Sequence, residues 1–342
     1  MQKTTVFETA SESPSDAVFE LETLSGKLMV ARDEVSNWII GQEQVIELAL
    51  AALLSGGHAL LVGLPGLGKT RLVEAMGTVM GLNDRRIQFT PDLMPSDILG
   101  AEVLEEATDG TRHFRFIRGP VFCELLLADE INRASPRTQS ALLQAMQEGE
   151  VSIAGQTHDL PAPFHVLATQ NPLEQDGTYP LPEAQLDRFL LQIDVGYPSR
   201  DAERDILLAT TGAQSGPPKQ VMDAQGLIHA QALIRQMPVG EAVMEMILDL
   251  VRSCRPDDPT APAAVKQAVS WGPGPRAAQA LMLLVRARAL LDGRLAPNAG
   301  DVRALARPVL SHRMALGYGA RAEGIELGAL IDAALTRLDA AA

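Results

Sequence analysis

Cysteine is almost absent from this chain: Cys123 and Cys254 are the only two in 342 residues, and they lie far apart. That excludes a disulfide framework and a cysteine-based zinc site, and it suits a reducing cytosol. Aromatic residues are scarce at 4%, so the core must be built from Ala, Leu, Val and Ile, which the 46% apolar content supplies. No apolar run approaches the ~20 residues of a membrane span, and the opening Met1-Gln-Lys-Thr-Thr has no signal-peptide core. A cytoplasmic protein with no membrane insertion is the expectation. Basic residues are outnumbered, 29 against 43, for a net charge of −14. That field repels polyanions, so no nucleic-acid partner is expected. Lysine is rare too, with only five (Lys3, Lys27, Lys69, Lys219 and Lys266), which gives weight to any lysine inside a motif.

What is present falls into segments of different texture. Residues 1–20 are polar and are expected to lack fixed structure. From Leu21 a helical pattern begins, with Phe19, Leu21, Leu24, Leu28 and Val35 on one face. Short apolar runs at His58–Val62, Ile87–Thr90, Leu125–Ala128, His165–Thr169 and Phe189–Val195 alternate with helical segments such as Thr70–Met80 and Pro136–Gln147. This alternation predicts an α/β domain over 21–198, a parallel sheet with helices on both faces. Beyond Tyr197-Pro-Ser199 the segments Asp201–Thr210, Asp223–Gln236, Gly240–Cys254, Arg276–Leu291, Asp301–Met314 and Ile325–Leu338 are all amphipathic. They predict an all-helical domain over 199–342. Two hairpins are expected within the α/β domain, near 103–116 around Asp109-Gly110 and near 150–160 around Ala154-Gly155. Such hairpins either project to contact partners or are ordinary edge hairpins.

The strongest signal is Gly63, Leu64, Pro65, Gly66, Leu67, Gly68, Lys69, Thr70, a complete G-x-x-x-x-G-K-[ST] between an apolar run and a helix. Its glycines let backbone N–H groups wrap a phosphate, and the following helix start adds partial positive charge. Lys69 supplies a point charge for the β- and γ-phosphates of ATP, and the Thr70 hydroxyl is a ligand for Mg2+. Arg71 joins these residues in the cofactor-binding set. The apolar run Leu125–Ala128 ends in Asp129-Glu130, where ligands bind in open α/β sheets. Asp129 suits the Mg2+ shell, and Glu130 suits polarising a water as general base. Asn171, after a further apolar run, is placed to orient that water, though Asn before Pro172 also starts a turn. Arg188 before the last run is an arginine-finger candidate, with a surface ion pair to Asp187 or Glu183 as the alternative. Arg276, opening a helix after Pro275, either reaches the nucleotide or faces solvent.

Together these residues resemble the AAA+ ATPases, and within them the MoxR family, over roughly residues 35–320; residues 1–34 have no counterpart. Gly63–Thr70 resembles Walker A, Leu125–Glu130 Walker B, Ala168–Pro172 sensor 1, Glu183–Phe189 the arginine-finger segment and Pro275-Arg276 sensor 2. Ile40-Gly41-Gln42 resembles the segment that contacts adenine, and Phe116–Phe122, Ile131–Ala134 and Ala141–Glu150 are similar to MoxR sequence. One departure is Gly274, where the family usually has Ser. The resemblance implies a Mg2+-dependent ATPase working as a homo-oligomeric, hexameric ring with Arg188 acting on a neighbour's nucleotide. Whether Arg276 acts on its own or a neighbour's nucleotide stays open. The family further implies a chaperone-like remodelling of a protein client with a von Willebrand factor A domain partner. A non-catalytic ATP-binding switch is the alternative function, and a DNA-dependent motor a weaker one.

Overall fold

The computed structural model describes residues 14–106, 111–174, 177–212 and 216–341. In chain order the elements are α1 (Pro14–Trp38), α2 (Glu43–Leu54), β1 (Ala59–Gly63), α3 (Lys69–Met80), β2 (Asp84–Gln88), α4 (Pro95–Leu99), β3 (Gly100–Glu106) and β4 (Arg112–Arg118). There follow β5 (Leu125–Asp129), α5 (Pro136–Glu148), β6 (Glu150–Ile153), β7 (Gln156–Asp159), β8 (His165–Gln170), α6 (Glu183–Leu186) and β9 (Leu191–Val195). The helical part comprises α7 (Arg200–Thr211), α8 (Ala224–Gln236), α9 (Glu241–Ser253), α10 (Ala263–Ala268), α11 (Pro275–Leu291), α12 (Ala299–Leu310), α13 (Tyr318–Ala322) and α14 (Leu327–Ala341), with a two-stranded ribbon of β10 (Val269–Trp271) and β11 (Ala315–Leu316).

The main sheet is parallel, in the order β2-β5-β8-β1-β9. Alternate residues of its strands point to opposite faces and enter two cores. Leu61, Leu125, Leu127, Leu167 and Ile193 face α1, α2, α3 and the helical part. Leu60, Leu126, Ala128, Val166 and Ala168 face the side of Leu142 and Leu143 on α5. The first core runs unbroken from Leu28 on α1 through Leu61 to Leu290 on α11, so the α/β and helical parts share one apolar interior. The Ser25 hydroxyl ties them further by donating to the Leu290 carbonyl at 2.9 Å.

Two expectations need correction. The helix begins at Pro14, inside the segment expected to lack fixed structure, because proline suits a first helical turn; residues 1–13 lie outside the described residues. Phe19 is not on the buried face: it is 69% exposed while Leu21, Leu24, Leu28 and Val35 are buried. Both hairpins form, β3 with β4 and β6 with β7, although the 107–110 turn of the first is outside the described residues.

Three histidines are sealed into this architecture in their neutral form. His58 precedes β1, donating from Nε2 to the Met146 carbonyl (3.0 Å) and accepting at Nδ1 from the Val166 amide (3.0 Å). His165 donates from Nδ1 to the Gly57 carbonyl and accepts from Gln231 of α8. His312 donates to the Phe189 carbonyl at 3.1 Å. Burial, reinforced by charge on neighbouring His165 and Arg313 respectively, lowers His58 to about 4 and His312 to about 3; burial also lowers His165. The unfolded chain therefore takes up protons that the folded one refuses, and stability falls as pH drops through 6.5 towards those values. From pH 7.5 to pH 5 the loss is about 2 kcal/mol for each of His58 and His312. Urea denaturation at the two pH values should show the midpoint falling, and His58→Gln should reduce the difference.

Candidate nucleotide site

β1 ends at Gly63, and the loop that follows turns through Gly66 (φ 83°) and Gly68 (φ 77°) before α3 starts at Lys69. Side chains rarely adopt that left-handed backbone, so glycine lets the loop curl with its amides and the α3 start facing inward. Lys69 Nζ donates to the carbonyls of Gly63 and Leu64, the latter at 3.3 Å, folding back over its own loop. Burial draws the Lys69 ammonium below its ordinary value, against the pull of Asp129 and Glu130.

The adenine-side candidates meet this loop. Gln42 Nε2 donates to the Leu67 carbonyl at 2.9 Å. Gly41 (φ 75°) lies so close to α7 that a Cβ would sit 2.3 Å from Ala202 Cβ, which only glycine tolerates. A cleft of about 190 Å³ opens between Ile40, Gln42, Leu67, Pro198 and Ile206. At its edge the Arg71 guanidinium stacks on Trp38, 4.8 Å from the ring centre. Arg71 is thus beside the loop and the cleft, held by an aromatic residue.

β8 lies between β1 and β5, so its carboxyl end falls between the phosphate loop and the acidic pair. Thr169 there is fully buried and joins both: its hydroxyl donates to Asp129 Oδ1 at 2.6 Å and accepts from the Glu130 amide at 2.8 Å. Asp129, 8% exposed, also takes a forked pair from Arg86 of β2, Nε at 3.2 Å and Nη2 at 2.7 Å. Glu130 has φ 58°, unusual for a side-chain-bearing residue and of a kind that clusters at functional sites. Its carboxylate accepts from Gln88 (2.7 Å) and from Arg133 (2.9 Å). Asn171 stands just past β8, its Oδ1 accepting from the Leu173 amide at 3.2 Å, so the turn role is real. Among the described residues no group of three or more His, Cys, Asp or Glu could hold a metal. The hydroxyl of Thr70 and the carboxylate of Asp129 are nevertheless the hard oxygen donors that Mg2+ takes, and it binds through few protein ligands plus phosphate oxygens.

Arg188 and Arg276 are elsewhere. They line a separate cleft of about 250 Å³ with His58, Leu190 and Arg313. His58 and Leu190 immediately precede β1 and β9, whose parallel register pairs Ala59 with Leu191 and Gly63 with Val195. The two arginines therefore lie at the amino end of strands whose carboxyl end carries the phosphate loop, a strand length of about 13 Å away. Arg188 makes no ion pair among the described residues; Asp187 instead pairs with Arg276 (3.7 Å) and Arg313 (2.7 Å). Sequence reasoning missed Arg86, Gln88, Thr169 and Arg313.

Both cysteines are buried, and burial pushes each thiol up to about 12, which leaves them unreactive packing residues. Among the described residues no helix is long and apolar enough to cross a membrane.

The comparisons with known proteins identify the family. Residues 58–191 match the family model described as the ATPase family associated with various cellular activities, and residues 261–334 match that of an AAA lid domain. Chaperone MoxR1 of Mycobacterium tuberculosis is 42% identical over 316 residues, covering 92% of this chain and 83% of the relative. Protein MoxR of Paracoccus denitrificans is 32% identical, covering 90% and 94%. A crystal structure from Cytophaga hutchinsonii has a TM-score of 0.86 at 35% identity, covering 94% of this chain and 97% of the other. A complete phosphate loop, an acidic strand end across the sheet from it, a helical lid and full-length relatives of this kind make the chain a member of the MoxR family of AAA+ ATPases.

Proposed function

We propose that this chain hydrolyses ATP, with Mg2+, in a head-to-tail ring of identical copies in which each site is completed by the next copy. The observation that carries this is the separation just described: Lys69, Asp129 and Glu130 at one end of the strands, Arg188 and Arg276 at the other. An arginine that acts on developing phosphate charge must be within hydrogen-bonding distance of it. Arg188 cannot reach its own loop along the sheet, but a repeated head-to-tail contact brings the end bearing it to the loop of a neighbour. Because Arg276 shares Asp187 with Arg313 beside Arg188, the same reasoning assigns Arg276 to the neighbour's nucleotide.

Within one copy the chemistry divides plainly. The loop amides and Lys69 hold the phosphates, and Gln42 and Gly41 border the base. Thr70 and Asp129 are the residues that would hold Mg2+, which when bound offsets phosphate charge. Glu130 accepts the proton of the attacking water, oriented by Asn171, as the bond from the γ-phosphorus to the β–γ bridging oxygen breaks. Gln88 and Arg133 both donate to Oε2 of Glu130, which orients the carboxylate while its other oxygen takes the proton.

The protein-facing role, a chaperone-like remodelling of a client, follows the named relatives. Support within this chain comes from the first hairpin, where cross-strand partners Leu104 and Phe114 are 54% and 69% exposed. A solvent-facing apolar pair on a hairpin suits contact with protein, as does the acidic charge. A six-membered ring, a cytoplasmic location and a partner bearing a von Willebrand factor A domain belong to the same proposal.

The test is the Mg2+-dependent ATPase rate per subunit against protein concentration, with Glu130→Gln as the blank and sizing alongside. A specific rate that climbs as monomers assemble supports a shared site. A full rate at concentrations where sizing finds monomers overturns it. ATP binding without turnover at any concentration, with partner present, points to the switch.

A further inference from the structure

The end of the molecule that carries Arg188 is built around a buried arginine that the reading above does not use. Arg313 belongs to the single helical turn Ser311–Arg313 that follows α12, and it is 2% exposed. Its guanidinium is directed at one short segment of the α/β part. Nε donates to Asp187 Oδ1 at 2.7 Å, Nη1 to the Leu190 carbonyl at 3.0 Å, and Nη2 to the carbonyls of Phe189 (2.7 Å) and Asp187 (3.4 Å). A further bond, Nη1 to the Val309 carbonyl at 2.8 Å, anchors the guanidinium to its own helix. His312 adds a contact from the same turn to the Phe189 carbonyl. The segment so gripped, 187–190, contains Arg188, and the carboxylate that Arg313 holds is also the partner of Arg276.

A buried ion pair is poor evidence for stability, since apolar residues of equal volume often stabilise as well. A forked donor satisfied by a carboxylate and backbone carbonyls does something else: it fixes a short segment's position in two dimensions. Four of the five guanidinium bonds fall on Asp187, Phe189 and Leu190, the three residues around Arg188. We propose that Arg313 is a positioning residue for catalysis: it holds the 187–190 segment to the helical part so that Arg188 and Arg276 present to the neighbouring copy as one rigid pair. Any shift of the α12 end then carries both arginines together, which couples the helical part directly to a neighbour's hydrolysis. This rests on the reading that the two arginines serve the adjacent copy's nucleotide.

The experiment uses mixed rings of the full chain. Arg313→Lys keeps the charge but loses the fork. Alone, it is expected to bind a fluorescent ATP analogue within about twofold of the unaltered protein, with KM little changed and kcat at least tenfold lower. Mixed with an equal amount of Glu130→Gln, itself inactive, it should regain activity, because its own loop and Glu130 are intact and its neighbour's arginines are correctly held. In a randomly mixed ring about half of its sites have such a neighbour, so the rate per Arg313→Lys subunit should approach half of the unaltered rate. The parallel mixture of Arg188→Ala with Glu130→Gln is the control. If the control regains activity and the Arg313→Lys mixture does not, Arg313 is not acting through Arg188 and the inference fails while the shared site stands. If neither regains activity, the shared site itself is wrong. Full activity of Arg313→Lys alone also overturns the inference. Should Arg313→Lys lose ATP binding or its folded circular dichroism signal, Asp187→Asn, which removes the shared carboxylate at a partly exposed position, takes its place in the same mixtures.

Discussion

Glu130→Gln should bind ATP as tightly as the unaltered protein and hydrolyse it about 10²–10⁴-fold more slowly, the usual worth of a positioned general base. The reasoning is local. The amide keeps the shape of the side chain and an oxygen to receive Gln88 and Arg133, so the left-handed backbone at position 130 and the Thr169 bridge are undisturbed. What it loses is the capacity to take a proton from water. Affinity should change little because the proposed phosphate contacts, in the loop, Lys69 and the α3 start, make no hydrogen bond to Glu130, whose charge Lys69 feels only as a minor pull against burial. Phosphate release and binding of a fluorescent ATP analogue, measured on the same preparation, separate the two effects. A rate within threefold of the unaltered protein would remove Glu130 from the mechanism and leave Asp129 as the only candidate carboxylate.

How much of this was legible in the residues alone differs from one feature to the next, for physical reasons. The parallel sheet, the phosphate loop and the six long amphipathic helices of the second half come from local signals: apolar runs, helical periodicity and a complete glycine-lysine motif. β2 was only half visible, as Ile87–Thr90. The strand is Asp84–Gln88, and Asp84, Arg85 and Arg86 are exposed on the sheet edge, where charge is tolerated and the apolar pattern vanishes. That displacement hid Arg86 and Gln88, the residues that hold Asp129 and Glu130 from 43 and 42 positions away. Thr169 was visible as part of an apolar run, but nothing marks a strand threonine as a bridge until the strand order puts β8 next to β5. Arg313 is the extreme case, since its partner Asp187 is 126 positions distant and Ser-His-Arg at a helix end has the look of ordinary capping chemistry. The alternatives weighed for the arginines fare differently: Arg188 pairs with neither Asp187 nor Glu183, while Arg276, weighed as a solvent-facing residue, is half exposed and pairs with Asp187.

Arg188→Ala is expected to produce the largest loss, about 10³–10⁵ in kcat, the range seen where an arginine finger is removed. Its signature should differ from that of Glu130→Gln, because the residue belongs to a different surface. Arg188 lines the cleft with His58 and Leu190 at the amino end of β1 and β9, so on the proposed division of the site it is not expected to contribute to the nucleotide pocket of its own chain. At concentrations below assembly the variant and the unaltered protein should bind ATP identically and share the same low rate. As concentration rises the unaltered rate should climb and the Arg188→Ala rate stay flat, even where sizing reports the same oligomer. Arg188→Lys should recover little, since an ammonium supplies charge without the planar fork that spans two phosphate oxygens. A fall in ATP affinity of the dilute protein on Arg188→Ala would mean that the side chain reaches its own loop after all. The division of the site between the two ends of the sheet would then have to be abandoned.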